Sequence, residues 1–375
     1  MASHTRIPVR IARTGMVAAA DPLAALIGIE ILRAGGNAAD AAVAMSAALA
    51  VLEPHSSHLE GDTSALIWDA QAQKLSALRA SAGTGDTWQT ALEAWGTLTL
   101  MEALAPAIAQ AEDGFALSAA QAERLKAQDV LSDDLPVPLR PGTTLYQPLF
   151  ARLLRQSADA EMTDAEPQVS EPTRTAYRGI DIAEAHGPEN SLGQSLRTLE
   201  RIDLAALSLE SAEAIHRLAS ATKGQPRNSG SQAATLCVID ARGNAVAWTS
   251  GGPSEARLNS GPWMLFHGNT LWAVGGDGDT QTNLQIVTQL IDSKRSPQEA
   301  IESPKWHTGP DGEELFIEDR LPLDTCYELR QRGYALTVGG PWSGDCAAQI
   351  ILHDPDTGAL FGGSDPRIEG LALGY

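Results

Sequence analysis

The sequence predicts a globular α/β protein, and three observations carry that reading. Hydrophobic residues make up 43% and charged residues 20% of the 375, a balance that supports a buried core without staples. Apolar residues recur at helical spacing from Pro22 to Leu52. The segment "ATLCVIDARGNAVAWTS" instead alternates about a polar turn, as paired strands do.

Each element follows from local signals. The N-terminal "MASHTRIPVRIARTGMVAAAD" has no continuous apolar stretch before Asp21, so neither a secretory leader nor a membrane anchor is expected, and a cytoplasmic location is the expectation. In "PLAALIGIEILRAGGNAADAAVAMSAALAVL" the glycines of "AGGN" end one helix through left-handed dihedrals; Asn37 caps the next, with Asp40 in its first turn. "TSALIWDAQAQKLSALRASAG" reads as a hairpin. Thr97 to Asp113 is helical in period, Gly114 breaks it, and Ser118 starts another candidate helix.

Pro and acidic residues make "SDDLPVPLRPG" and Ser157 to Pro172 loop or linker. A helix is expected near Ser211 to Lys223, followed by an exposed "KGQPRNSGSQ". Beyond the "DARGN" hairpin, Leu271 to Val274 is a strand, and the glycines of "GGDGD" lead into a helix from Thr280 to Asp292. "SPQEAIESP" is a short helix, "ELFIED" a strand, "TCYELRQRGY" a helix ended by Gly333, and "CAAQIILHDPDTGALFGGSD" a final hairpin.

Charge narrows the partners. With 27 Lys and Arg against 47 Asp and Glu, the net charge of −20 repels phosphate backbones and anionic lipid heads, so neither nucleic acid nor a membrane is an expected partner. Cys237, Cys326 and Cys346 have no metal-ligand spacing and are odd in number, which reads as reduced thiols. His55 and His58 would need a helix to converge, and Pro54 and Gly61 argue for a loop; His267 and His307 stand alone. No metal and no cofactor is expected.

Four ordered blocks then point to a family: "GMVAAADPLAALIGIEILRAGGNAADAAVAMSAALAVLEPHSS", "VIDARGNAVAWT", "LQIVTQLIDSKRSPQEAIESPKWH" and "GGSDPRIEGLALGY". The chain resembles the γ-glutamyltransferase family from about Gly15 to Tyr375. That resemblance implies a four-layer αββα N-terminal-nucleophile hydrolase sandwich filling residues 1–375 as one domain, with 1–232 matching the family's large subunit and 233–375 its small subunit. In such proteins a precursor cuts itself, and the freed threonine attacks a γ-glutamyl amide, its own α-amine serving as base. An oxyanion hole and a cation for the donor's carboxylate complete the site.

Under that resemblance the oxyanion pair falls on Gly275 and Gly276, although "GGDGD" reads equally as a strand-to-helix turn needing positive φ. The Thr-Thr-His run falls on Ala233, Ala234 and Thr235, and alanine has no lone pair with which to attack. Self-cleavage at Gln232–Ala233 would lack its hydroxyl, so an uncut chain is expected. The substrate arginine's position holds Ser81; Arg79, two residues earlier on the same strand face, is either a substitute or a surface arginine. The glycine-rich run is eroded to "HLEGDTSA", and "LNSGPWMLFHGN" lacks the family's aspartate and paired serines. Asp365 and Arg367 of "SDPR" are expected to pair across a turn.

Ser231, Ala233, Thr235 and Cys237 alternate on one strand face, so Thr235 is a candidate displaced nucleophile. A two-residue displacement moves it about 7 Å, far beyond near-attack tolerance. Cys237 reads as a buried strand residue. The expectation is a family member without normal γ-glutamyl transfer, binding a small amide or peptide, or pairing with itself or an active paralogue. The competing reading is an active amidohydrolase with an altered substrate that uses Thr235. A single engineered trap at Ala233 does not account for the simultaneous losses at Ser81 and "HLEGDTSA".

Overall fold

The computed structural model describes residues 5–54, 56–57, 59, 61–81, 84–127, 139–159, 167–185, 191–224, 233–251, 260–277, 279–309, 311–344 and 346–375. His55, His58, Ser231, Gln232 and most of "SDDLPVPLRPG" and "KGQPRNSGSQ" lie outside them.

Two seven-stranded antiparallel sheets stack face to face. The first runs, edge to edge, Arg10–Ala12, Ala359–Ser364, Gln349–Asp354, Thr270–Gly276, Trp263–His267, Ile180–Glu184, Thr173–Tyr177. In the second the order is Leu371–Gly374, Met16–Ala19, Ala234–Ile239, Ala245–Ser250, Thr63–Asp69, Lys74–Ala80, Gln168–Ser170. Strands buried on both faces lose the polar alternation of a half-exposed strand. Ala234–Ile239 accordingly has all six residues buried, as does its partner Ala245–Ser250.

Three apolar clusters fill the gaps between layers. Leu66, Cys237, Ala247, Met264 and Val274 pack between the sheets. Outside the second sheet lie the helices Pro22–Arg33, Ala38–Leu52, Thr84–Trp95, Leu100–Asp113 and Pro148–Asp159. Outside the first lie Leu192–Leu199, Ala212–Ala221, Thr280–Ile291, Pro297–Glu302 and Leu323–Gln331. Helix, sheet, sheet, helix is the four-layer sandwich that the resemblance implied.

The helix Ala38–Leu52 shows how sequence sets this packing. All fifteen of its residues are buried, and its small side chains let neighbours approach closely: a Cβ on Gly28 would lie 2.3 Å from the Met45 sulfur. Asn37 accepts from the Ala39 and Asp40 amides while Asp40 accepts from the Asn37 amide, a reciprocal cap. The preceding helix ends as "AGGN" predicts: Gly35 takes φ +103°, and the Gly35 and Gly36 amides bond back to Leu32 and Ile31.

Other expectations need correction. The fourth helix starts at Leu100 rather than Thr97, because Thr99 is its cap and Glu102 closes the box. Ser157 to Pro172 is not loop throughout: the helix Pro148–Asp159 enters it, and Gln168–Ser170 pairs with Lys74–Ala80 as an edge strand. Exposed edge strands can be polar, so hydropathy does not reveal that one. Gly275 and Gly276 belong to the strand Thr270–Gly276, and neither has positive φ, so the turn reading fails for both.

Candidate functional site

Strand pairing builds a polar row on one face of the second sheet. Thr235 stands opposite Thr249, Thr249 opposite Ser64, and Ser64 opposite Arg79. Because alternate residues share a face, these four look toward the first sheet, alongside Cys237, Ala247, Leu66 and Ala77 of the inter-sheet core. Ala233, just before the central strand Ala234–Ile239, joins them by the same alternation and is 5% exposed.

Across the gap, Gly276 pairs with Gln349, whose carbonyl accepts the Cys237 thiol at 3.4 Å. The glycine pair therefore faces the same strand as Ala233 and Thr235. Packing makes both positions glycine. A Cβ on Gly275 would meet the Trp263 ring at 2.7 Å, and one on Gly276 the Pro262 Cα at 3.0 Å.

Asp277 follows directly and anchors the turn, a role that sequence reading missed although "GGDGD" displays its carboxylates. Its Oδ2 accepts from the Ala347 amide at 2.7 Å and its Oδ1 from the Asp279 amide at 2.9 Å. Burial pushes its pKa up to about 7, so the acid and the carboxylate are both populated beside the glycines near neutral pH. Asn283 completes the frame by donating to the Asp277 carbonyl and the Ser260 hydroxyl while accepting from the Trp263 indole.

The nucleophile candidates fare differently. Thr235 is wholly buried, and its hydroxyl finds no hydrogen-bond partner among the described residues; the same holds for Thr249 and Ser57. No base therefore reaches Thr235 Oγ1 within this set. Burial drives the Cys237 thiol far above its ordinary pKa, which makes it an inert core residue. Arg79 does lie on the row that faces the first sheet, but three strands from Thr235, about 14 Å at ordinary strand spacing, and it is exposed, with no ion pair among the described residues. Ser81, just past the end of its strand, is exposed as well.

Arg367 and Asp365 pair as "SDPR" predicts, at 3.0 Å. They belong to a larger buried assembly: Arg367 Nε reaches Glu318 at 2.7 Å, and Arg320 lies 3.5 Å from the centroid of the Trp342 ring. Burial alone would raise Glu318, yet Arg367 and Arg320 hold its pKa down to about 2. His267 is exposed and lies edge-on to Trp272, while His307 is buried in the strand Trp306–Thr308. Among the described residues, no group of three or more His, Cys, Asp or Glu is placed to hold a metal. No helix among them is long and apolar enough to cross a membrane.

Two stacked antiparallel sheets between helical layers, with the central strand of one facing a glycine pair of the other, define an N-terminal-nucleophile hydrolase sandwich. A cephalosporin acylase from Bacillus halodurans superposes with a TM-score of 0.84 at 23% identity, covering 100% of this chain and 98% of that one. The chain belongs to the gamma-glutamyltranspeptidase family, whose model matches residues 24–84, 79–164 and 259–375. The "Glutathione hydrolase-like YwrD proenzyme" of Bacillus subtilis is 25% identical over 96% of this chain and 98% of its own length. The glutathione hydrolase proenzyme of Escherichia coli is 25% identical over 98% and 93%, and the acylase ACY 1 proenzyme of Pseudomonas sp. SE83 is 25% identical over 96% and 93%. The 516 aligned positions of the first exceed the 375 residues of this chain, so that relative carries internal segments absent here.

Proposed function

We propose that this chain is a member of the family that does not process itself and lacks normal γ-glutamyl transfer, acting instead by binding. The single observation that carries this is Ala233: the residue just before the central strand, on its face toward the first sheet and where the resemblance implies a threonine, bears only a methyl group. Acyl transfer needs a lone pair at that point, and the neighbouring hydroxyl of Thr235 is sealed and without a basic partner among the described residues.

Residues 1–232 and 233–375 then remain one polypeptide. The suited ligand is a small amide or peptide that has no free α-carboxylate, since Ser81 falls where the resemblance implies an arginine to clamp one. The family's packing surfaces remain available for a second copy or an active paralogue, and the acidic chain fits a soluble role in a cytoplasm. The alternative, an active amidohydrolase using Thr235, is disfavoured by that residue's burial and its displacement of about 7 Å.

The test is the intact mass of purified protein, followed by incubation with an electrophilic amide mimic and peptide mapping. A single species of 39.5 kDa with no adduct is expected. Two fragments, or an adduct at Thr235, would overturn the proposal.

A further inference from the structure

At the far end of the central strand, about 20 Å from Ala233 by strand rise, a cavity of about 490 Å³ opens on the outer face of the second sheet. Its floor is Ile67 and Val246, and the end of the helix Thr84–Trp95 supplies Trp95 as a wall. The rim carries Asp69 from one hairpin tip and Arg242 from the next. A volume between about 300 and 1,000 Å³ is usual for a small-molecule site; here Ile67 and Val246 are almost wholly buried, so the accessible lining is mostly polar and the half-buried Trp95 is its main apolar surface.

The groups around it divide into spent and unspent. The Ala38 amide already bonds to Asp240, the Ala39 and Asp40 amides to Asn37, and the Trp95 carbonyl accepts from Asn37, so the helix start offers no open anion site. Asp240 is consumed as well, accepting from Ala38, Arg242 and Asn244 backbone amides and from the Asn244 side chain. By contrast, the exposed Arg242 guanidinium has no carboxylate or hydrogen-bond acceptor among the described residues. Asp69 spends one oxygen on the Ala72 amide and leaves the other free. Opposite charges border one cavity without pairing with each other.

We propose that this cavity binds a zwitterionic amino acid with an aromatic side chain, its carboxylate on Arg242, its ammonium on Asp69, and its ring against Trp95. A ligand with both charges satisfies both groups, whereas one with a single charge leaves the other open. The site stands apart from the cleft, so its failure would leave the reading of Ala233 untouched.

Isothermal titration of the full chain with L-phenylalanine tests it, with 3-phenylpropionate and phenethylamine as single-charge controls. Saturable binding is expected, weakened about tenfold or more in both Arg242→Gln and Asp69→Asn and for both controls. Both substitutions fall on hairpin tips and leave the melting temperature unchanged, which separates lost binding from lost folding. Absence of saturable heat with the wild-type chain, or wild-type affinity retained in either variant, would sink the proposal.

Discussion

A buried hydroxyl without a partner is a cost that a single methyl replacement can reveal. Thr235 Oγ1 lies between two sheets with neither donor nor acceptor among the described residues, beside Thr249, which is in the same condition. Valine has the same shape without the polar group, so Thr235→Val is expected to stabilise the fold by about 1 kcal/mol, the lower part of the penalty for an unmet buried hydrogen-bonding group. A urea midpoint measures this; a clear fall would show that the hydroxyl has a partner in solution and reopen its role. At this scale sequence and structure part company in an instructive way. Alternation in "ATLCVID" suffices to put Ala233, Thr235 and Cys237 on one face, but whether that face meets solvent, substrate or another sheet depends on long-range stacking. The same limit applies to Arg79: its face could be read from period two, its exposure could not.

Among the elements, the hairpin turn "DARGN" does more than reverse the chain. Asp240 sits at the end of the central strand and accepts from three backbone amides and the Asn244 side chain, one of those amides belonging to Ala38 at the start of the fully buried helix. One carboxylate thus fastens a sheet corner to the helix that covers the sheet. Asp240→Ala leaves several of these donors unmet in a site that is 5% exposed and is expected to cost roughly 3 kcal/mol. Asn37→Ala, which removes a cap and its bond to the Trp95 carbonyl, is expected to cost about 1–2 kcal/mol. Thermal or urea denaturation would check both, and equal small losses would mean that the corner is not coupled in this way. The helices Pro22–Arg33, Ala38–Leu52 and Leu100–Asp113 and the two central strands were legible because each carries its own signal, a cap, a glycine in the left-handed region or a strict period, whereas the helices Thr84–Trp95, Pro148–Asp159 and Leu192–Leu199 were not anticipated. Gln168–Ser170 and Thr173–Tyr177 were not, since such outer strands are specified by the neighbours they pair with more than by their own apolar residues.

Across the whole molecule, buried acids set how stability depends on pH. Burial raises both Glu53, at the end of the buried helix, and Asp277, beside the glycine pair, to about 7 from ordinary values of 4.5 and 3.8. Glu53 faces Arg124 at 3.7 Å and the Ser56 hydroxyl, with the like charges of Asp21 and Glu369 nearby; Asp277 faces Asp279 and Asp365. For an acid whose folded pKa exceeds its unfolded one, the folded state holds the proton longer, so stability falls as pH rises between those two values. Each shift corresponds to roughly 3–4 kcal/mol at most, lost from about pH 4 to pH 7 and then constant. Glu318, held to about 2, acts with the opposite sign: its stabilisation is complete above about 4.5 and fades only as pH drops towards 2. Lys305, lowered to about 8 by burial, adds stability only as pH climbs beyond that value. The fold is therefore expected to be most stable near pH 4–5 and weaker at 7, a notable bias for a chain of net charge −20, whose self-repulsion also grows as its carboxylates ionise. Denaturant midpoints from pH 3 to 8 test this in the wild type and in Glu53→Gln, which keeps an oxygen for Ser56 but cannot ionise. The variant should lose part of the decline between pH 4.5 and 7; a profile parallel to wild type, or stability that climbs through that window, would show that Glu53 is ionised at little cost and that Arg124 compensates its burial.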